Sequence, residues 1–356
     1  MMSKRLPDIP LAVLILSLFA VGLVALYTAG GEVRFWSQMS RGAAGFALMF
    51  VIAMLPLRRI EALAPFFFAA ILLSLVWVLF FGVKINNARR WLNAGFLLQP
   101  SELMKIALPM FIAYCYSRIQ ETSWTHHIMM LAVVVVPVLL VVSQPDLGTA
   151  VMVAMAGVLA VFFGGIGWAW IGGFSALGAA TVSVVAIWPS LLDLVLKPYQ
   201  KKRILTLLDP GQDPLGAGYH TIQSEIAIGS GGIWGKGFLE GTQAQLEFLP
   251  ERHTDFIFAV YAEEFGFAGA CLVLSLAALI TWRCLQIAGR AGNVFGFLAA
   301  AGIAGIFFLT FAVNLSMVSG LLPVVGMPLP LISYGGSALL AAFVGFGVIL
   351  SASRRT

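Results

Sequence analysis

The chain has 356 residues, 60% of them hydrophobic and only 10% charged. Soluble domains are about half apolar and about a quarter charged, so this composition, with a mean hydropathy of +0.96, excludes a large soluble domain and implies a polytopic membrane protein. The net charge of +5 carries no nucleic-acid reading, because basic residues in a membrane protein mostly report its orientation.

The chain opens "MMSKRLPDIPLAVLILSLFAVGLVALYTAG", a basic lead and an apolar run. The run from Leu11 to Ala29 is long and no small-x-small cleavage site follows, which predicts a retained first helix. Ten apolar spans follow in order: 10–29, 39–57, 62–82, 101–119, 127–143, 147–165, 167–189, 255–283, 294–320 and 333–352. Each is near the length that crosses a hydrocarbon core of about 30 Å. Ten spans put both ends on one side. The segments then on the inner side hold Lys4, Arg5, Arg58, Arg59, Arg118, Arg283, Arg290, Arg354 and Arg355, against Arg34, Arg41, Lys84, Arg89 and Arg90 outside. That bias predicts both termini in the cytoplasm.

The expected fold is therefore an all-α polytopic membrane protein of ten transmembrane helices. It forms one integral membrane domain, 1–356, with one large extracytoplasmic loop, 190–254, between the seventh and eighth spans. Long loops in compact domains are functional or disordered. This one carries "LLDLVLKPYQKKRILTLLDP", whose apolar and basic patches predict short amphipathic helices at the membrane surface. The Gly-rich "GAGYHTIQSEIAIGSGGIWGKG" fails as a nucleotide-binding loop: Ser230 stands where a glycine is required, and Gly237 follows Lys236 where Ser or Thr belongs. Cys115, Cys271 and Cys284 are odd in number and widely spaced, so no disulfide framework is expected. His126, His127, His220 and His253 lack zinc spacing.

With the N-terminus inside, spans four, six, eight and ten all start on the outer face. Each is preceded by a polar or turn-rich motif: "LLQPSELMK" (97–105), "SQPDLGTA" (143–150), "LPERHTDF" (249–256) and "GMPLPLISYGGSA" (326–338). The inner loops are plain by comparison. Helix N-termini offer free N–H groups and partial positive charge, a natural seat for phosphate. The outer face is the candidate site.

Each piece also has a bland reading. Asp146 reads equally as a helix cap. Glu102 and Lys105, three apart, form a common structural pair. Lys201, Lys202 and Arg203 could hold the loop against anionic lipid, and Arg41 could be a plain interface anchor. Glu263 and Glu264 diverge by about 100° on one helix, so at most one shares a face with Asp255. Either Asp255 or Thr254 could be the N-cap of the eighth span. A straight helix counted back from Arg283 reaches the core's outer edge at Glu263, leaving Asp255 about 12 Å further out, at headgroup depth.

A carboxylate among cations at helix N-termini suits a phosphorylated lipid headgroup, and glycosyl transfer from a lipid pyrophosphate fits. The leaving group needs cationic stabilisation more than protonation. The acceptor hydroxyl needs one general base, and a direct displacement inverts the anomeric centre without a carboxylate nucleophile.

At these residues the chain resembles the SEDS family (shape, elongation, division and sporulation). The resemblance spans nearly the whole chain and rests on "WLNAGFLLQPSELMK", "SQPDLGTA", "YQKKRILTLLDPGQDPLGAGYHTIQS", "IAIGSGGIWGKG", "LPERHTDFIFAVYAEEFG" and "GLLPVVGMPLPLISYGGSA". "GAGYH" and "ERHTDF" resemble its elongation branch more than its division branch. The resemblance implies a peptidoglycan glycosyltransferase that polymerises lipid II, the undecaprenyl-pyrophosphate-linked disaccharide peptide, on the outer face of the bacterial cytoplasmic membrane. It assigns the catalytic role to Asp255, and cavity roles to Glu102, Lys105, Gln200, Arg203 and Thr254. Arg252 and Arg41 are further candidates for the pyrophosphate, with Arg34 competing for the place of Arg41. The implied partners are membrane lipid and a single-span class B penicillin-binding protein. No cofactor is demanded, although Asp255, Glu102 and Asp146 could supply oxygens to a divalent cation, magnesium or manganese. Two other classes compete. A lipid II flippase would need a polar path open to both faces, yet spans one, three, five and seven carry almost no ionisable residues mid-membrane. A non-catalytic scaffold leaves the four polar helix starts unexplained.

Overall fold

The computed structural model describes residues 7–85, 88–93, 95, 97–167, 172–173, 176, 217–242 and 251–354. Among these, six helices are long and apolar enough to cross a membrane. The first, α1 (Ile9–Met54), is two spans joined at Gly31, whose φ of 75° breaks the helix. Phe19 and Phe46 stack edge to face at 5.8 Å, although a straight helix would hold residues 27 positions apart about 40 Å from each other. The halves therefore fold back on one another, and the two predicted spans are both present. A positive φ at the reversal is the conformation glycine adopts without a Cβ penalty. Gly42 lies directly under the Phe19 ring, the small-residue contact that lets membrane helices approach closely.

The second helix, α2 (Leu57–Phe81), returns across the bundle. The segment after it departs from the all-α expectation. Val83–Ile85 (β1), Ala88–Asn93 (β2) and Leu97–Leu98 (β3) form a three-stranded antiparallel sheet. Lys84 pairs with Arg89, and Leu92 with Leu98. Short strands with basic residues facing out give only a faint apolar alternation, and no span signal covers them.

Helix α3 (Pro100–Ser117) is buried on almost every face. It touches α2 and the following α4 (Trp124–Ser143) and α5 (Leu147–Phe163). A helix buried all round sits at the centre of its bundle, so Glu102 and Lys105 are carried into the middle of the molecule. The predicted seventh span, 167–189, lies largely outside the described residues, as do the expected amphipathic helices around 192–210. Part of the Gly-rich segment is helical: α6 (Ala217–Ser230).

The eighth predicted span is a broken helix, α7 (Ile257–Gly289), interrupted at Gly266 with φ 64°. The break has a specific filler. In a continuous helix the N–H groups of Phe267 and Ala268 would donate to the carbonyls of Glu263 and Glu264. Instead Phe267 donates to Gly232 O at 2.9 Å and Ala268 to Ile233 O at 3.0 Å. Lys236 and Gly237 N–H take the two freed carbonyls at 3.0 and 3.1 Å. The loop after α6 is thus wedged into the helix and satisfies all four orphaned groups. A Cβ at Gly266 would lie 2.3 Å from Gly235 N, so the wedge enters only where side chains are missing.

Helices α8 (Val294–Val318) and α9 (Gly336–Ser353) complete the bundle. The last predicted span starts three residues late, because "GMPLPLISYGG" stays irregular and Leu331 adopts φ 66°. The two ends of the described chain meet. Asp8 N donates to Ser353 Oγ at 3.3 Å, the Asp8 carboxylate pairs with Arg283 at 2.8 Å, and Ser351 Oγ donates to Leu55 O at 2.7 Å.

Candidate functional site

The helix starts predicted to share one face do converge. Gln99, the N-cap of α3, donates its N–H to Ser337 Oγ in the first turn of α9 at 2.9 Å. The Gln99 side-chain amide donates to Asp146 at 3.1 Å. Asp146 caps α5 by accepting from Thr149 N at 3.2 Å, so its capping role is real. Arg90 of β2 reaches the same carboxylate at 3.5 Å and also donates to the carbonyls of Gln144 and Pro145. The sheet therefore pins the α5 start, and part of the basic charge that ran against the orientation bias is paired.

The start of α7 joins α9 through the backbone. Tyr334 N donates to His253 O at 2.9 Å, and Ser333 Oγ donates to Thr254 O at 2.6 Å. Neither Asp255 nor Thr254 is the N-cap: that position is Phe256, and no side chain caps it. Asp255 lies just ahead of it, half-buried, with its carboxylate against Gly326, where a Cβ would stand 3.5 Å from Oδ2. The straight-helix depth count fails, because α7 breaks at Gly266. Asn314 donates to Asp255 O at 2.9 Å. That Asn sits one turn inside the C-terminal end of α8 and is fully buried. Asp255 is thus held at the level of the bundle's last buried turn.

One turn deeper on α8, Thr310 walls a cavity of about 50 Å³ that also touches Glu102, Lys105, Phe307, Pro328 and Pro330. That is room for a few waters at most. Glu102 and Lys105, 5% and 6% exposed, pair at 2.8 Å. The "GMPLP" segment runs from the Asp255 carboxylate at Gly326 to this pair at Pro328 and Pro330, so one strip links the two centres.

The remaining candidates divide. Arg41 lies over the Tyr334 ring at 5.0 Å and approaches Gly336 at the start of α9. Arg34 folds back onto Gly30 O at 3.0 Å and lies near enough to His253 to act on its charge, so both arginines border the site. Arg252 donates to Ala29 O at 3.0 Å, tying the motif to the tip of the α1 hairpin. Thr254 Oγ1 bonds Glu251 at its carbonyl (3.1 Å) and carboxylate (3.0 Å), and Glu251 is held at φ 52°. His253 is pushed below its ordinary pKa by burial and then by Arg34, with Glu251 opposing. Gln200 and Arg203 lie outside the described residues. Glu263 and Glu264 serve the wedge: Lys236 Nζ and Thr242 N reach Glu263 at 2.7 and 2.9 Å, and Leu239 N reaches Glu264 at 3.0 Å. Among the described residues no three His, Cys, Asp or Glu side chains gather around a metal position, so Asp255, Glu102 and Asp146 form no such set. Sequence reasoning passed over Arg90, Ser333 and Asn314. Two had a signal: Ser333 lies within the motif "GMPLPLISYGGSA", and Asn314 is a lone amide inside the apolar run "FLTFAVNLSMV".

The FtsW/RodA/SpoVE model of cell cycle proteins matches residues 8–356. Peptidoglycan glycosyltransferase MrdB of Escherichia coli (strain K12) is 45% identical over 97% of this chain and 92% of that protein. A solved structure described as "Structural coordination of polymerization and crosslinking by a peptidoglycan synthase complex" is 33% identical, with a TM-score of 0.82 over 98% of both chains. The crystal structure of Thermus thermophilus rod shape determining protein RodA is 29% identical, with a TM-score of 0.73 over 98% of this chain and 97% of that one.

Proposed function

The chain belongs to the FtsW/RodA/SpoVE family, and from that premise we infer that it is a peptidoglycan glycosyltransferase of the bacterial inner membrane using lipid II as donor and acceptor. The glycosyltransferase reading is favoured over transport because relatives matched nearly end to end are peptidoglycan glycosyltransferases. The observation that carries the site is the convergence of four helix starts around the segment bearing Asp255.

In this reading Asp255 is the general base. It takes the proton from the 4-hydroxyl of the acceptor's N-acetylglucosamine as that oxygen attacks the anomeric carbon of the donor's N-acetylmuramic acid. The new β-1,4 bond forms as the bond to undecaprenyl pyrophosphate breaks, with inversion. The leaving group departs as an anion, and the helix starts supply fixed positive dipole where that charge develops. Lys105 is already neutralised by Glu102, so the exposed Arg41, the half-buried Arg252 and, from the loop, Arg203 with Gln200 are the groups assigned to the pyrophosphate. Thr254 holds the turn that presents Asp255.

The basic end of the bundle, with Arg58, Arg59, Arg118, Arg283, Arg290 and Arg354, faces the cytoplasm, and the site faces outward. Ten spans complete a single membrane domain, with the seventh supplied by residues near 167–189. A class B penicillin-binding protein is the proposed partner, in keeping with the synthase complex among the structural relatives.

The test supplies labelled lipid II in detergent to the purified chain, with and without such a partner, beside Asp255→Asn. Long glycan from the wild type and none from the variant is expected. Full polymerisation by Asp255→Asn removes the base assignment. Lipid II crossing liposome leaflets with no glycan from either protein makes transport the function.

A further inference from the structure

Three consecutive carbonyls at the mouth of α7 are captured from other elements. His253 O accepts from Tyr334 N, Thr254 O from Ser333 Oγ, and Asp255 O from Asn314 Nδ2. The third donor is the unexpected one. Asn314 is fully buried on α8, where a leucine of similar size would carry no desolvation cost. Its Nδ2 group bridges two acceptors, Asp255 O and Met327 O. Both are carbonyl oxygens, so the donating end of the amide must face them. The other end, Oδ1, is buried without a hydrogen-bond partner among the described residues. A side chain present only to fill space would not leave a buried acceptor orphaned. What the amide adds is the bridge, and the bridge joins the backbone of Asp255 to the residue after Gly326, which floors the Asp255 carboxylate.

We propose that Asn314 is a positioning residue that fixes the Asp255 carboxylate at the reacting hydroxyl by locking the Asp255 backbone to the Gly326–Met327 strip. The inference rests on the reading of Asp255 as general base. Because Asn314 acts through backbone, its loss shifts the base without changing any group that touches lipid II. A displacement of about 1 Å at a reacting group lowers the rate by about 10²-fold. The loss therefore falls on kcat rather than on substrate binding.

The experiment measures initial polymerisation rates against lipid II concentration for wild type, Asp255→Asn, Asn314→Asp, Asn314→Gln and Ser333→Ala, together with thermal unfolding of each. Asn314→Asp keeps the shape and removes the bridging donors. Its kcat is expected to fall about 10²-fold with KM within about threefold of wild type, while the unfolding midpoint falls because a carboxyl group then faces two buried carbonyl oxygens. Asn314→Gln restores the amide on a longer arm and is expected to recover part of kcat. Ser333→Ala releases the Thr254 carbonyl, together with the Leu329 N–H that donates to Ser333 Oγ, and is expected to show the same split more weakly, which keeps the idea testable if Asn314→Asp does not fold. Wild-type kcat in Asn314→Asp overturns the proposal. So does a joint fall of kcat, substrate affinity and unfolding midpoint in both Asn314→Gln and Ser333→Ala, which marks a purely structural role. An inactive wild type, or an active Asp255→Asn, overturns instead the reading of the site on which the proposal rests.

Discussion

Lys105 and Glu102 sit at 6% and 5% exposure in the middle of the bundle, 2.8 Å apart and beside a cavity with room for only a few waters. Their spacing on one helix made the pair foreseeable, but not its depth: a start motif at the outer face reads as headgroup level until the helix carrying it proves central. Two charges so placed cancel, and neither offers net attraction to a pyrophosphate while the pair is closed. Removing one partner strands the other in a low-dielectric interior, which costs about 3–5 kcal/mol, whereas exchanging both for apolar or neutral groups is often close to neutral. Lys105→Met is therefore expected to lower unfolding stability in detergent by about that amount, and Glu102→Gln with Lys105→Met to recover most of it. A double-mutant cycle read by denaturant unfolding checks this, and a null coupling energy would show that the pair contributes nothing to the fold. Asp255 is the opposite case. Its charge is foreseeable from "ERHTD", while the donors that hold its backbone, Ser333 and Asn314, lie 78 and 59 positions away in segments that read as loop and plain apolar helix.

The same contrast holds for whole elements. Spans of about 20 apolar residues announce themselves, and the helices through 57–81, 100–117, 124–143, 147–163, 294–318 and 336–353 lie where hydropathy puts them, within a few residues. The α1 reversal is foreseeable because charged and polar residues interrupt the run around Gly31. The break in α7 is harder to foresee: "YAEEFGFAGACL" shows no proline, its adjacent Glu263 and Glu264 mark polarity but not a backbone break, and the wedge that stabilises the break lies about 30 positions upstream. Apart from these two carboxylates, nothing local distinguishes Gly266 from the tolerated glycines of membrane helices. The physics of the break sets the next expectation. Gly266→Ala places a Cβ 2.3 Å from Gly235 N at φ 64°, an approach real Cβ atoms do not make and a backbone region that costs an L-residue of order 1–3 kcal/mol. The variant must expel the loop. Hydrogen exchange is expected to show the amides of Lys236, Gly237, Phe267 and Ala268, bonded across the break in the wild type, exchanging much faster in Gly266→Ala. If they stay protected, the wedge does not hold the break open.

At the scale of the molecule, two polar assemblies lie at opposite ends of an apolar bundle, and their chemistry differs. At one end Asp8, Arg283, Leu55, Ser351 and Ser353 tie the ends of the described chain together through ordinary pairs, with further basic side chains such as Arg118, paired with Glu61, and Arg354, bonded to Ala53 O, around them. At the other, helix starts, captured carbonyls and the Arg90–Asp146 pair surround Asp255. A phosphorylated lipid donor is used where its headgroup is delivered, so the side on which the second assembly lies decides whether the proposed reaction builds wall outside the cell. The cationic excess at the termini favours the cytoplasm for that end, while the segments at the Asp255 end carry Arg34, Arg41, Lys84, Arg89 and Arg90 against it. Direct labelling decides. In a background with Cys115, Cys271 and Cys284 replaced, a single cysteine at Trp234, which is 83% exposed on the wedge, is expected to react with a membrane-impermeant maleimide on intact spheroplasts. A cysteine at Arg290, beyond the far end of α7, is expected to react only after permeabilisation. The reverse pattern would put Asp255 on the cytoplasmic face, where a glycan strand could not join the wall. Equal labelling of both positions from outside would mean that the apolar bundle between them does not span the membrane.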